Sequence, residues 1–128
     1  MKPTIGQLRE ALLHSWSLET STKWEKDCPA KGQCGVTSLV VQDILGGEIF
    51  KTKTFGGWHY YNKVDEKFID FTDAQFNEAI EYEHIPASRE EAMSDTNDYQ
   101  YNTLKSSVMN FYIPVCTEQS LDRISLLQ

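Results

Sequence analysis

The chain of 128 residues contains no run approaching the ~18 consecutive apolar residues of a membrane-spanning helix, so a membrane is not an expected partner. Cations are scarce: 12 Lys and Arg face 19 Asp and Glu, and the resulting net charge of −7 opposes binding to a nucleic-acid backbone. Cysteine is limited to Cys28, Cys34 and Cys116, an odd number that cannot form a fully paired disulfide framework. Met1-Lys2-Pro3-Thr4 opens into a charged amphipathic segment rather than a signal sequence. A cytoplasmic location with reduced thiols is therefore expected. Internal repeats, low-complexity tracts and Pro/Gly/Ser linkers are also missing, so residues 1–128 read as a single domain. A hydrophobic content of 40% is enough for a packed core in a domain of this size.

Apolar spacing then defines the elements. Thr4 and Gln7 form a capping-box pattern, and Ile5, Leu8, Leu12, Leu13 and Trp16 predict an amphipathic helix over residues 4–15. Residues 15–31 read as a loop ending in Cys28-Pro29-Ala30-Lys31-Gly32. From Gly35 to Leu45 apolar residues cover most of a helical circumference, which predicts a central, buried helix stopped by Gly46-Gly47. Strands are expected over residues 48–54, 58–63 and 67–71, the last two joined by a tight turn at Asp65-Glu66. Thr72 and Gln75 repeat the capping-box spacing and predict a short helix from Asp73 that carries Phe76 and Ile80 inward. Residues 81–98 read as an acidic surface excursion with one capped turn at Ser88 and Glu91. A helix from Tyr101 to just before Pro114, and a short one around Leu121–Leu127, complete an α+β domain with a small antiparallel sheet.

The chemistry concentrates in three places. Gly32-Gln33-Cys34-Gly35 puts a thiol where a polar loop becomes an apolar helix, and a helix start favours a thiolate through its unpaired N–H groups. Gly57-Trp58-His59-Tyr60-Tyr61-Asn62 and Phe68-Ile69-Asp70-Phe71-Thr72 follow. With a two- or four-residue turn, position 61 faces 70 and 59 faces 72, so His59 and Asp70 share a sheet face; a three-residue turn would separate them. Cys34, His59 and Asp70 then read as nucleophile, base and orienter. Gln33 and the Trp24 indole are candidates to join the Cys34 backbone N–H in an oxyanion hole, and Trp58, Tyr60 and Tyr61 are candidates to line a substrate groove. If the acidic segment borders this site, it favours cationic substrates.

Three other readings compete. Cys28, Cys34, His59 and Asp70 offer zinc donors, but five residues separate the two cysteines and no second close pair follows, so no metal is expected. Cys28 is alternatively a resolving thiol for Cys34. The third is a non-catalytic interaction protein using the aromatic strand or the acidic segment. His14, at a helix end, and His84, in the acidic segment, are expected to be structural or surface residues, and Cys116 a buried apolar one.

The Gly-Gln-Cys, His-Tyr-Tyr-Asn and Asp-Phe-Thr motifs, spread over residues 32–72, resemble those of transglutaminase-like and papain-like cysteine enzymes. The wider layout, from Cys28-Pro29-Ala30-Lys31-Gly32 through Leu45-Gly46-Gly47 to Gln75-Phe76, resembles the YunG-like family of small bacterial proteins. The enzyme resemblance implies a papain-like or transglutaminase-like domain. It also implies hydrolysis or acyl transfer at an amide-type bond of a peptide, protein or small amide, with Cys34, His59 and Asp70 as catalytic residues and no cofactor. The chain departs from papain-like enzymes in having Gly35 after the cysteine, where they commonly have Trp, and Cys28 six residues before it, where they have Gln.

Overall fold

A computed structural model describes residues 2–117, with side chains to Phe111. Helix α1 (Ile5–Ser15) starts with the expected capping box: Gln7 N–H donates to Thr4 Oγ1 at 3.0 Å and Thr4 N–H donates to Gln7 Oε1 at 2.9 Å. Leu8, Ala11 and Leu12 turn inward, while Ile5 and Leu13 are exposed. Adjacent residues point about 100° apart on a helix, so Leu12 and Leu13 cannot both face one core.

Helix α2 (Cys34–Leu45) is the centre of the molecule, with nine of its twelve residues buried. Val36, Val40, Val41 and Leu45 pack with Leu8 and Leu12 of α1 and with Leu104 and Val108 of α4 (Asp98–Thr117). Cys34 and Leu39 pack with Ile49 and Tyr60 of the sheet. Polar groups on this buried helix are satisfied across its interfaces: the Trp16 indole donates to Thr37 Oγ1 at 2.9 Å, and Asn62 Nδ2 donates to the Ser38 carbonyl at 3.0 Å.

The sheet contains β1 (Glu48–Thr54), β2 (Gly57–Val64), β3 (Lys67–Ile69) and β4 (Ile85–Ala87) in the spatial order β3-β2-β1-β4, with every pairing antiparallel. The β2–β3 turn has two residues, Asp65 and Glu66, both at positive φ (51° and 67°), as a type I′ turn requires. Val64 therefore faces Lys67 and Asn62 faces Ile69, the register that puts His59 and Asp70 on one face. β3 ends at Ile69 rather than Phe71, because Asp70 turns its carboxylate back onto the Thr72 N–H at 3.1 Å.

Several elements differ from expectation. β4 lies in the acidic segment read as a surface excursion; it is an edge strand, where Pro86 removes no needed ladder bond. Thr72 does not cap the following turn, a 3₁₀ turn at Asp73–Gln75, because its hydroxyl is directed to Asp70 at 3.3 Å. The Ser88–Glu91 capping box forms as expected and starts α3 (Arg89–Met93). Helix α4 continues through Pro114 to Thr117, giving up only the one N–H that proline lacks. The expected helix around Leu121–Leu127 and the Cys116 side chain lie outside the described residues.

The turn generates a prediction. Glu66 is an exposed non-glycine residue in the left-handed region, and its contact with Lys63 at 3.5 Å is a solvated surface pair. Glu66→Gly should raise stability by about 0.5–1 kcal/mol, measured as a higher urea midpoint at unchanged slope; an equal or lower midpoint would show that the turn is not strained at this position.

Candidate functional site

Because β3 pairs only with residues 62–64, the β2 edge from Gly57 to Tyr61 has no strand partner on that side. The amino terminus of α2 occupies this opening, where the Tyr60 backbone amide meets the Cys34 thiol. Tyr60 and Asn62 face α2, whereas His59 and Tyr61 face the opposite side, beneath Phe76, Tyr82 and His84. Cys34 and His59 thus approach from two sides of the same free edge, and both line a cleft of about 390 Å³. Trp58, Gln75, Phe76 and the 94–97 segment complete its walls.

His59 and Asp70 are joined as expected: Nε2 lies 2.6 Å from Asp70 Oδ2. The Tyr82 hydroxyl donates to the same oxygen at 2.6 Å, and the Thr72 N–H and hydroxyl donate to Oδ1. Burial alone would push the Asp70 carboxyl up. The His59 hydrogen bond and charge, with the Tyr82 and Thr72 donors, outweigh it and hold the carboxyl below its ordinary range. The carboxylate is thus an acceptor, which assigns the proton of that bond to His59 Nε2. The other ring nitrogen, Nδ1, is buried and has no hydrogen-bond partner among the described residues. Tyr82 matches no motif in the sequence; it is adjacent to Asp70 only because the 76–84 segment folds back over this sheet face.

Cys34 differs from the expectation of an activated thiolate. Its hydrogen bond goes to Asp95, with Sγ donating to Oδ2 at 3.6 Å, and the same carboxylate oxygen accepts the Gly35 N–H at 3.2 Å. One of the helix-start amides that could stabilise a thiolate, that of Gly35, is therefore occupied by a carboxylate. Burial and the Asp95 charge push the thiol up to about 12 against the Tyr60 amide, so the resting sulfur is protonated. Gly35 permits this approach: a Cβ there would lie 2.5 Å from Asp95 Oδ2 and 2.9 Å from the Ala92 carbonyl. The only sequence signals for Asp95 were its place in the acidic segment and a glycine after the cysteine, neither of which specifies a contact.

The oxyanion candidates sit elsewhere. Gln33 is fully buried and turned into the 17–20 loop, its Oε1 accepting from the Thr20 hydroxyl at 2.8 Å and its Nε2 3.5 Å from the Ser17 carbonyl. Trp24 packs against the α1–α2–α4 core, with its indole N–H buried and unpartnered among the described residues. Neither lines the cleft, whereas Trp58 does, half-covered by the ammonium groups of Lys51 and Lys53 at 4.4 and 5.3 Å from its ring. Cys28 and Cys34 are both free, with Cys28 Sγ 3.9 Å from the Ala74 carbonyl. His84 is anchored by stacking on Phe68 and by a 2.8 Å hydrogen bond to the Tyr61 hydroxyl. Among the described residues no three His, Cys, Asp or Glu side chains group so as to hold a metal ion, and no helix is long and apolar enough to cross a membrane.

The sequence model of the family described as YunG protein matches residues 4–112. A Bacillus subtilis (strain 168) protein, "Uncharacterized protein YunG", is 53% identical over 103 residues, covering 80% of this chain and 90% of that protein. No solved structure matches.

Asp70 provides the test of this geometry. A carboxyl held below its unfolded value contributes stability that is complete above about pH 4 and is lost as pH falls through the lower folded value. Asp70→Asn should therefore lower stability at pH 7 by about 2 kcal/mol, and the gap from the parent should shrink below about pH 4. A gap independent of pH would mean that the carboxylate charge is not what holds His59.

Proposed function

The chain belongs to the YunG family, and on that footing we propose that it is a cysteine-dependent hydrolase or acyltransferase acting on an amide-type bond. In this reading the domain is of transglutaminase-like or papain-like kind, supported by a thiol at the start of the central helix and a His–Asp pair on and just beyond the neighbouring strand. One observation carries the proposal: His59, with one nitrogen fixed by Asp70 and the other buried and unpartnered among the described residues, lines the same cleft as Cys34. An orphaned buried acceptor is costly, and such a cost is tolerated where the group has a task.

The steps follow from these roles. His59 Nδ1 takes the Cys34 proton as sulfur attacks the carbonyl carbon, and Asp70 steadies the imidazolium. The tetrahedral intermediate collapses with cleavage of the C–N bond, and the amine leaves with the proton held by His59. Water, or a second amine, then gives a proton to His59, attacks the thioester and releases Cys34. Cys34 and His59 line one cleft with no hydrogen bond between them, so the starting state is a neutral thiol and a separate base rather than a preformed ion pair, in keeping with the Asp95 contact. Free thiols at Cys28 and Cys34 suit a cytoplasmic location.

The suppressed thiol favours a second reading, a binding module on the same scaffold in which Cys34 is inert. Iodoacetamide alkylation separates the two. Mapped by peptide mass spectrometry across pH 4 to 9, Cys34 labelling should fall about tenfold or more in His59→Gln, while Cys28 labelling stays constant. His59 is 1% exposed, so the glutamine variant replaces it without the cavity that alanine would leave. Equal Cys34 labelling in parent and variant would overturn the catalytic reading in favour of the binding module.

A further inference from the structure

Asp95 stands at the rim of the cleft with a carboxylate oxygen 3.6 Å from the Cys34 sulfur. Among the described residues it belongs to no ion pair. Of the two lysines that line the cleft, Lys31 is bound to Glu25 at 2.7 Å, and the Lys23 side chain lies along Gly32. Asp95 as a whole is solvent-exposed, and partial desolvation of its carboxyl raises it above its ordinary range, against the Cys34 and Gly35 donors and the charges of Lys23 and His59. No cation among the described residues lies at ion-pair distance from it, so its charge is left to solvent or to an incoming group. His59 lines the same cleft, with its Nδ1 buried and unpartnered among the described residues.

We propose that Asp95 is the specificity residue of this cleft and selects substrates with a positively charged nitrogen on the acyl side of the reacting carbonyl. The inference rests on the acyl-transfer reading of Cys34. An ammonium hydrogen-bonded to a carboxylate lies about 2.8 Å from its oxygen. The 3.6 Å Sγ–Oδ2 separation is short enough for an amino group on the carbon next to the carbonyl, two bonds from the carbon that the sulfur attacks, to reach the carboxylate. The class is therefore an aminoacyl amide or ester with a free amino group, in which the cation and the carbonyl enter the cleft together. Pairing with the substrate neutralises the carboxylate that opposes thiolate formation, and any displacement of Asp95 frees the Gly35 N–H for the developing oxyanion. Recognition and activation become one event, and a neutral amide of the same size reacts more slowly because the carboxylate charge still opposes the thiolate.

Three methanethiosulfonate reagents test this on the full chain: the 2-aminoethyl cation, the neutral methyl compound and the 2-sulfonatoethyl anion. In each case the Cys34 sulfur attacks the sulfenyl sulfur, a disulfide forms, methanesulfinate departs and the thiol proton goes to solvent. Relative to the same reagents on glutathione, the cation should label Cys34 about tenfold faster than the methyl compound, and the anion slower still. Asp95→Asn, which keeps an oxygen acceptor for the Gly35 N–H, should abolish the charge preference and speed labelling by the neutral reagent. Asp95→Ser, a smaller capping residue, gives the same readout if the asparagine variant folds poorly. A charge preference no greater than that of glutathione, or one that persists in both variants, overturns the inference. Labelling by charge requires no turnover. A preference for the cation alongside Cys34 alkylation that is indifferent to His59→Gln would sustain Asp95 as a cation site and defeat acyl transfer; the reverse pattern would defeat only the role of Asp95.

Discussion

The burial of α2 on both sides is the constraint on which the rest depends. A helix with nine of twelve residues buried reaches solvent only around Gln42, Asp43 and Ile44, so its neighbours must satisfy most of the polar groups it carries. Thr37 meets the Trp16 indole, the Ser38 carbonyl meets Asn62, and the Leu45 carbonyl at the far end accepts from the Lys2 ammonium at 3.0 Å. The amino terminus borders the cleft, and Cys34 is its first residue. Core packing thus fixes the position of the thiol more firmly than any contact of its own does.

Two carboxylates flank that opening, and their surroundings drive them in opposite directions. Asp70 receives four donors from His59, Tyr82 and Thr72, which more than offset its burial. Asp95 is solvent-exposed and receives, among the described residues, the Gly35 amide and a weak thiol donor but no cation, and its carboxyl is raised rather than lowered. The first is therefore a fixed part of the scaffold that sets the tautomer of His59. The second is a charge whose balance an incoming group can change. A site combining one over-satisfied and one under-satisfied carboxylate has both an anchor and a point of response, and the thiol lies beside the responsive one.

Local rules carried much of the sequence reading. The Thr4–Gln7 and Ser88–Glu91 boxes each need only a spacing of three, and both formed. The juxtaposition of His59 and Asp70 needed only the parity of the turn at Asp65-Glu66, which a two-residue hairpin fixes. What was not legible depended on the chain returning from a distance. Asp95 reaches Gly35 across 60 positions, and Tyr82 reaches Asp70 through a segment whose composition suggested only solvent. β4 was hidden by Pro86, which excludes a central strand but not an edge one. Thr72 had two partners within reach, a helix start and a carboxylate, and the charged acceptor prevailed.

The shortness of β3 links the fold to the chemistry. A full partner along β2 would have covered the edge from Gly57 to Tyr61 and closed the space between the two faces on which Cys34 and His59 lie. Asp70 ends the strand early because its carboxylate turns back onto Thr72, and the same residue then holds His59. An unpaired edge is ordinarily exposed to pairing with another chain. Here residues of the α2 amino terminus and the 94–97 segment lie across it as walls of the cleft. One side chain therefore ends the sheet, opens the cleft and orients the imidazole within it, so any change at Asp70 acts on the architecture and the chemistry together.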